Sequence, residues 1–344
     1  MSWRMPSETA PHERTWMAFP VADNVVDDSP EETAATFAAW AAVANAVVEF
    51  EPVTILVDPS ALDAARDLLD PRVEVVECPV DEFWMRDQGP TFVVDDERPG
   101  VLGAVDWTFN GWGDRGWANF EKSAEHARFV AERVGAELVS SALVNEGGGI
   151  HVDGEGTVLL TETVQLDPRR NPYADRRRVE AEMARTIGAT KAIWLPRGLT
   201  RDYDDFGTNG HVDIVATLTA PGKVLVHSQR NPEHPDFEVS REIIALLSSA
   251  TDAAGRTLEV TEIPAPSVIR ADDEFVDYSY VNHLVVNGGV IACGFGDDEA
   301  DATAREILEA VYPGRRAVTV DARQIFAGGG GIHCITQQQP AVAR

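Results

Sequence analysis

Apolar positions along this chain switch between the helical period and the strand period, and the switching repeats. At Ser29-Pro30-Glu31-Glu32 a capping serine, a first-turn proline and a glutamate three residues on open a helix. Its apolar stripe runs Phe37, Trp40, Ala41, Ala44, Val47 and Val48. The uninterrupted apolar run Val53–Val57 then predicts a buried strand. A second helix over 60–69 leads to a strand at 73–76, to Asp81-Glu82-Phe83-Trp84-Met85-Arg86-Asp87-Gln88-Gly89-Pro90, and to a strand at 91–94.

The same order returns along the chain at intervals of about 50 to 70 residues, longer than most solenoid periods. A helix over 121–134 closed by Gly135 precedes a strand at 137–140, Asn145-Glu146-Gly147-Gly148-Gly149 and a hairpin over 150–162 turning at Gly154. The third unit has a helix over 175–187, a strand at 192–195, the segment 207–213 and paired strands at 212–217 and 223–227. The fourth has a helix over 240–248, a strand at 258–262, Tyr280-Val281-Asn282-His283 and a hairpin at Asn287-Gly288-Gly289. The fifth has a helix over 304–311, a strand at 317–320 and the run Gly328-Gly329-Gly330-Gly331-Ile332-His333-Cys334. It lacks a final strand in this pattern, and residues 15–19 are predicted to supply it and close a ring.

Every unit thus sets one chemically distinctive residue just after its helix–strand element: Asp87, Glu146, His211, Asn282 and Cys334. Units packed around a pseudo-fivefold axis would bring these five positions to one point. The predicted fold is therefore α/β, a propeller of five pseudo-symmetric modules around a central active site, as a single domain over residues 1–344. A doubly wound parallel sheet fits less well, since each unit carries extra antiparallel strands.

Composition narrows the class. The chain has 344 residues, 44% hydrophobic and 25% charged, enough for a large core. The N-terminus lacks a basic-then-apolar leader and no uncharged stretch is long enough to span a bilayer, so no membrane association and a cytoplasmic location are expected. Three cysteines, Cys78, Cys293 and Cys334, are too few and too uneven for a disulfide framework, and the first two lie in apolar strand-like runs as inert core residues. A net charge of −28 without a basic stripe disfavours nucleic acid and favours a cationic ligand.

Four consecutive glycines before Cys334 are expected where the main chain must adopt positive φ or let a ligand approach, although a flexible loop beside a buried thiol has the same composition. The distant Gly210-His211-Val212-Asp213 adds the base that a cysteine nucleophile needs. A thiol, an imidazole and several carboxylates, with no phosphate loop, suit attack on a planar cationic carbon, and a guanidinium fits. Asp87 and Asp213 would clamp its N–H edges, and Cys334 would attack the central carbon. His211 would act as acid and then base, with Glu146 fixing its tautomer.

Two readings of other classes use the same residues. His151-Val152-Asp153, His211-Val212-Asp213 and His333 supply ligand types for a zinc or iron hydrolase. A ring fold could also be a non-catalytic binding platform. The stretch from Trp107 to Trp117, with Trp112 at its centre, is either a lid making cation–π contact with substrate or an ordinary packed loop.

Taken together, Met5-Pro6, Trp16-Met17 with Pro20, Trp84-Met85-Arg86-Asp87-Gln88-Gly89-Pro90, Asn145-Glu146-Gly147-Gly148-Gly149, Gly210-His211-Val212-Asp213 and Ile332-His333-Cys334-Ile335-Thr336-Gln337-Gln338 resemble the agmatine deiminase family. The matches run in order along nearly the whole chain. The resemblance implies a pentein propeller and hydrolysis of agmatine to N-carbamoylputrescine and ammonia through a cysteine thiouronium, with no cofactor and no metal. It implies Cys334 as nucleophile, His211 as acid/base, Asp87 and Asp213 as guanidinium ligands, Glu146 as support for His211 and Trp84 as pocket wall. One departure stands out. The family pattern places an acidic residue near the substrate's far amine, four positions before the motif histidine, and this chain has Gly207 there. Asp204 or Asp205 is the carboxylate expected to take over; otherwise arginine, a methylarginine or a peptidyl arginine becomes the substrate. A homodimer is expected of an enzyme of this kind.

Overall fold

The computed structural model describes residues 2–24, 29–204, 206–271 and 274–342. The first helix, Pro30–Val47, begins where the sequence pattern puts it: the Ser29 side chain accepts a hydrogen bond from the Glu32 N–H, and Phe37, Trp40, Ala41, Ala44 and Val47 are buried. Helices His126–Val134, Arg176–Ile187, Asp236–Ser249 and Asp298–Val311 are the corresponding elements farther along. Gly135 ends the first of these in the left-handed conformation, at φ 70°.

Among the described residues the strands form six sheets, and five of them share one connectivity. Thr91–Asp95 pairs antiparallel with Leu102–Thr108, which runs parallel to Glu137–Val144. Ile150–Val152, Thr157–Thr161 and Lys191–Leu195 repeat the arrangement. So do Ala216–Ala220, Lys223–Ser228 and Glu259–Pro264, and then Leu284–Val286, Gly289–Gly294 and Arg316–Asp321. In the fifth sheet Thr336–Pro340 pairs antiparallel with His12–Ala18, which is parallel to Val53–Val57, with Glu74–Glu77 beyond. A helix crosses over between the parallel strands of each sheet, as parallel pairing requires. The sixth sheet is a two-stranded ribbon, Arg270–Ala271 with Glu274–Phe275.

The structure corrects three expectations. The fifth unit does not lack its strand: Thr336–Pro340 supplies it, and the N-terminal strand joins as its neighbour. The sequence Thr-Gln-Gln-Gln-Pro has no apolar alternation, yet all five residues are buried, and Gln339 accepts a hydrogen bond from the Trp16 indole at 2.9 Å. Residues Val212–Ile214 form a single 3₁₀ turn, and the strand predicted from 212 begins at Ala216. The last long helix begins at Asp298, six residues before its predicted start, with Asp297 as cap.

Cys78 and Cys293 lie in the core as expected. Burial first, with a neighbouring carboxylate, pushes their thiols up to about 11 and about 12. No helix among the described residues is long and apolar enough to cross a membrane.

Candidate active site

The glycine turn Gly147–Gly149 packs against Arg86 and Asp87, against His211 and Asp213, and against Val164 and Gln165. A β-carbon built on Gly148 would lie 2.5 Å from His211 Nδ1, 2.9 Å from Asp87 Oδ1 and 3.0 Å from Asp213 Oδ2. Three side chains from two separate units therefore face one point, and only a residue without a side chain leaves that point open. Gly148 N–H also donates to Asp87 Oδ1 at 2.9 Å.

Asp87 sits on the one-turn helix Met85–Gln88. That helix is tied to the cysteine segment: Arg86 N–H donates to the Cys334 carbonyl at 3.0 Å, and Arg86 Nε donates to the His333 carbonyl at 3.2 Å. The Trp112 indole donates to Asp87 Oδ2 at 2.8 Å. Burial raises the Asp87 carboxyl to about 6; His211 pulls it down, and the Asp213 and Glu146 charges add to the rise.

His211 follows Gly210 in a loop organised by Asp202, whose Oδ2 accepts the N–H groups of Gly210 at 2.7 Å and His211 at 2.8 Å. Its Nε2 lies 3.3 Å from Glu146 Oε2, and its Nδ1 lies 3.8 Å from Asp87 with no hydrogen-bond partner. Burial alone would lower this imidazole, but Asp87, Glu146 and Asp213 carry it up to about 9. Glu146 is fully buried and grips Arg170 Nε at 2.9 and 3.1 Å. Burial pushes its carboxyl up; the Arg170 guanidinium and His211 overcome that and hold it at about 2.

Cys334 Sγ accepts from the Asn282 side-chain amide at 3.2 Å, and its thiol donates to Asp213 Oδ2 at 3.5 Å. The thiol is held well above its ordinary value, first by burial and then by the Asp213 and Asp87 charges. Asp213 Oδ2 also accepts from His333 Nδ1 at 2.8 Å, while its buried Oδ1 has no partner. Burial works against that charge, yet His333 keeps the carboxylate below its usual range. The glycine run serves close approach more than turning: in it only Gly329 has positive φ, and a β-carbon on Gly330 would meet the Trp84 ring at 2.7 Å and Cys334 Sγ at 3.0 Å.

The family model for the Porphyromonas-type peptidyl-arginine deiminases matches residues 4–340. The chain belongs to that family. A relative from Streptomyces avermitilis is 56% identical over 340 residues, covering 98% of this chain and 97% of its own. The agmatine deiminase of Stutzerimonas stutzeri is 41% identical over 98% of this chain and 95% of its own. Among solved structures, the agmatine deiminase of Enterococcus faecalis superposes with a TM-score of 0.90 at 32% identity, over 98% of this chain and 96% of that one.

In this member of the deiminase family the structure brings Cys334, His211, Glu146, Asp87 and Asp213 together. Trp84 stands beside Gly330, and Trp112 is buried, bonded to Asp87 and stacked on Trp117 at 5.5 Å. Asp205 lies outside the described residues. Of the residues weighed for a metal, Asp153 accepts the Glu155 and Thr157 N–H groups and builds a hairpin turn instead. Glu8, His151 and His333 do cluster. However, His151 Nδ1 accepts the Leu218 N–H, both His333 ring nitrogens face carboxylates, and Arg86 lies 3.4 Å from Glu8. Those lone pairs are already committed, and a guanidinium occupies the neighbourhood a cation would need.

Sequence reasoning passed over Arg170, Asp202 and Glu8 as parts of this site. Asn282, expected from its equivalent repeat position to join the convergence, does so through its bond to Cys334 Sγ. Arg170 and Glu8 had no such signal, since each lies in an unremarkable segment and acts through a partner far along the chain.

Proposed function

We propose that this chain hydrolyses agmatine to N-carbamoylputrescine and ammonia, as one catalytic unit of five modules around the site above Gly148. The observation that carries the proposal is the convergence of His211, Asp87 and Asp213 beside Gly148, with the Cys334 thiol 3.5 Å from Asp213 Oδ2. The names of the relatives in Stutzerimonas stutzeri and Enterococcus faecalis support the substrate.

The unpartnered Asp213 Oδ1 and the Asp87 carboxylate accept the guanidinium N–H groups, and the arriving cation offsets the charges that hold the thiol protonated. The thiol proton leaves to solvent, giving a thiolate beside the His211 imidazolium. Sγ bonds to the central carbon. His211 protonates one amino nitrogen, the C–N bond breaks, and ammonia departs to leave the thiouronium. Neutral His211 then takes a proton from water as hydroxide adds to that carbon. The S–C bond breaks, thiolate and imidazolium are restored, and the protonated urea passes its extra proton to ammonia.

The test is ammonia release from agmatine, arginine, methylarginines and a blocked arginyl peptide, with EDTA present throughout. Turnover of agmatine that survives EDTA and disappears in Cys334→Ser is the expected result. Turnover of another member reassigns the substrate, dependence on metal overturns the mechanism, and silence across the panel overturns the function.

A further inference from the structure

Beside the reacting centre lies a cavity of about 210 Å³, lined by Trp40, Phe83, Trp84, Trp117, Phe206 and Glu82, among others. Trp84 joins the two spaces. One edge of its indole lies 3.4 Å from the β-carbon position of Gly328, on the cavity wall, and another lies 2.7 Å from that of Gly330, next to Cys334 Sγ. The aromatic walls interlock: Trp40 meets Phe83 at 5.2 Å and Trp84 at 5.6 Å, and Trp117 meets Phe206 at 5.5 Å. Such a box suits methylene groups along its sides and a cation over its ring faces.

Glu82 is the carboxylate of this box and is only 2% exposed. Its neighbour Asp81 is consumed by structure, accepting the Lys122 and Ser123 N–H groups and the Ser123 hydroxyl. Glu82 accepts one backbone N–H, from Asn119 at 3.3 Å, and a side-chain bond from Asn24. The charged group acting on it is Asp81, of its own sign, and burial first, then that charge, raises it to about 7. Among the described residues no cation pairs with this buried carboxyl, and the aromatic cavity it lines shares the Trp84 wall with the guanidinium site.

Gly207 and Asp204 do not supply that partner, and Asp205 lies outside the described residues. A β-carbon on Gly207 would fall 2.1 Å from the Asp202 carbonyl oxygen, so this backbone admits no side chain there. Asp204 is exposed and lines the adjoining cavity rather than this one.

We propose that Glu82 receives the terminal ammonium of the substrate's four-methylene arm, inside the box formed by Trp40, Trp84, Trp117 and Phe206. The assignment rests on the agmatine reading above, and it makes Glu82 the residue that separates amine-tailed guanidines from neutral ones.

Steady-state kinetics of wild type, Glu82→Gln and Glu82→Asp on agmatine and on butylguanidine, which has the same arm without the amine, test it. Glu82→Gln keeps the shape and the acceptor for Asn119, and circular dichroism confirms its fold. The expected result is a loss of about 10²-fold in kcat/KM for agmatine, carried by KM. Butylguanidine should be unaffected, and Glu82→Asp should restore part of the loss. Equal effects on both substrates, or none on agmatine, overturn the assignment while leaving the deiminase intact. A wild type silent on agmatine overturns the deiminase reading and this assignment with it.

Discussion

Two buried histidines stand in matching chains of charge, and they differ in one respect. On one side Arg170 binds Glu146, which faces His211, which faces Asp87. On the other, Arg86 approaches Glu8, which bonds His333 at 2.8 Å, which bonds Asp213 at 2.8 Å. His333 has both ring nitrogens filled, so it holds its protons and keeps Asp213 ionised. His211 has one nitrogen filled and one open above Gly148, so it can pass a proton to a bound molecule. Similar groups thus give a fixed counter-charge in one place and, on the proposed mechanism, an acid/base in the other; a single unfilled ring nitrogen makes the difference.

The contrast is broken most severely by deleting each ring. His211→Ala is expected to lower kcat on agmatine by about 10²- to 10⁴-fold, the usual worth of a positioned acid/base. His333→Asn should act mainly on KM, because Asp213 then loses the charge that keeps it an anion and binds guanidinium less well. Steady-state kinetics of the two variants separate these outcomes, and matching kcat losses would merge the two roles. Next in size is the arginine end of the His211 chain. Arg170→Met leaves Glu146 buried without its guanidinium, and thermal or urea unfolding should show a loss of about 3–5 kcal/mol. Stability within 1 kcal/mol of wild type, taken as about the size of an ordinary point-mutant effect, would argue that water reaches Glu146.

The smallest effect is a shift in pH dependence. On the proposed mechanism the His211 imidazolium, raised to about 9, is the acid, so kcat should hold through neutral pH and fall as pH rises through that value. Glu146 is one of the carboxylates that raise it, so Glu146→Gln must move the fall to lower pH, towards the ordinary imidazole range. A limb that stays in place would take the control of His211 away from Glu146.

Much of this was legible along the chain. The cap at Ser29, the helix stop at Gly135 and the apolar runs marked the units, because capping and periodicity act over a few residues. Asp87, Glu146, His211 and Cys334 followed from their equivalent places in those units, and Asp213 from its spacing after His211. The strand Thr336–Pro340 was hidden, since its glutamines and proline carry no strand pattern and its burial comes from the N-terminal strand. Trp112 was legible as an aromatic near the site, but its bond to Asp87 depends on a loop fold that spacing does not encode. Glu82 stood within a recognised motif, yet nothing local tells a buried carboxyl from its exposed-looking neighbour Asp81.

The sequence by itself determined which reactive groups exist, the order of the units that carry them and the family to which the chain belongs. Only the tertiary structure decided which carboxylates hold arginines, which histidine keeps an open nitrogen, and which acidic residue faces an aromatic cavity. The reason is range. Backbone preference is set by neighbours a few positions away, whereas desolvation and Coulomb interaction are set by distance in space. His333 and Glu8, which set the charge of Asp213, are 325 positions apart in the chain and 2.8 Å apart in the fold.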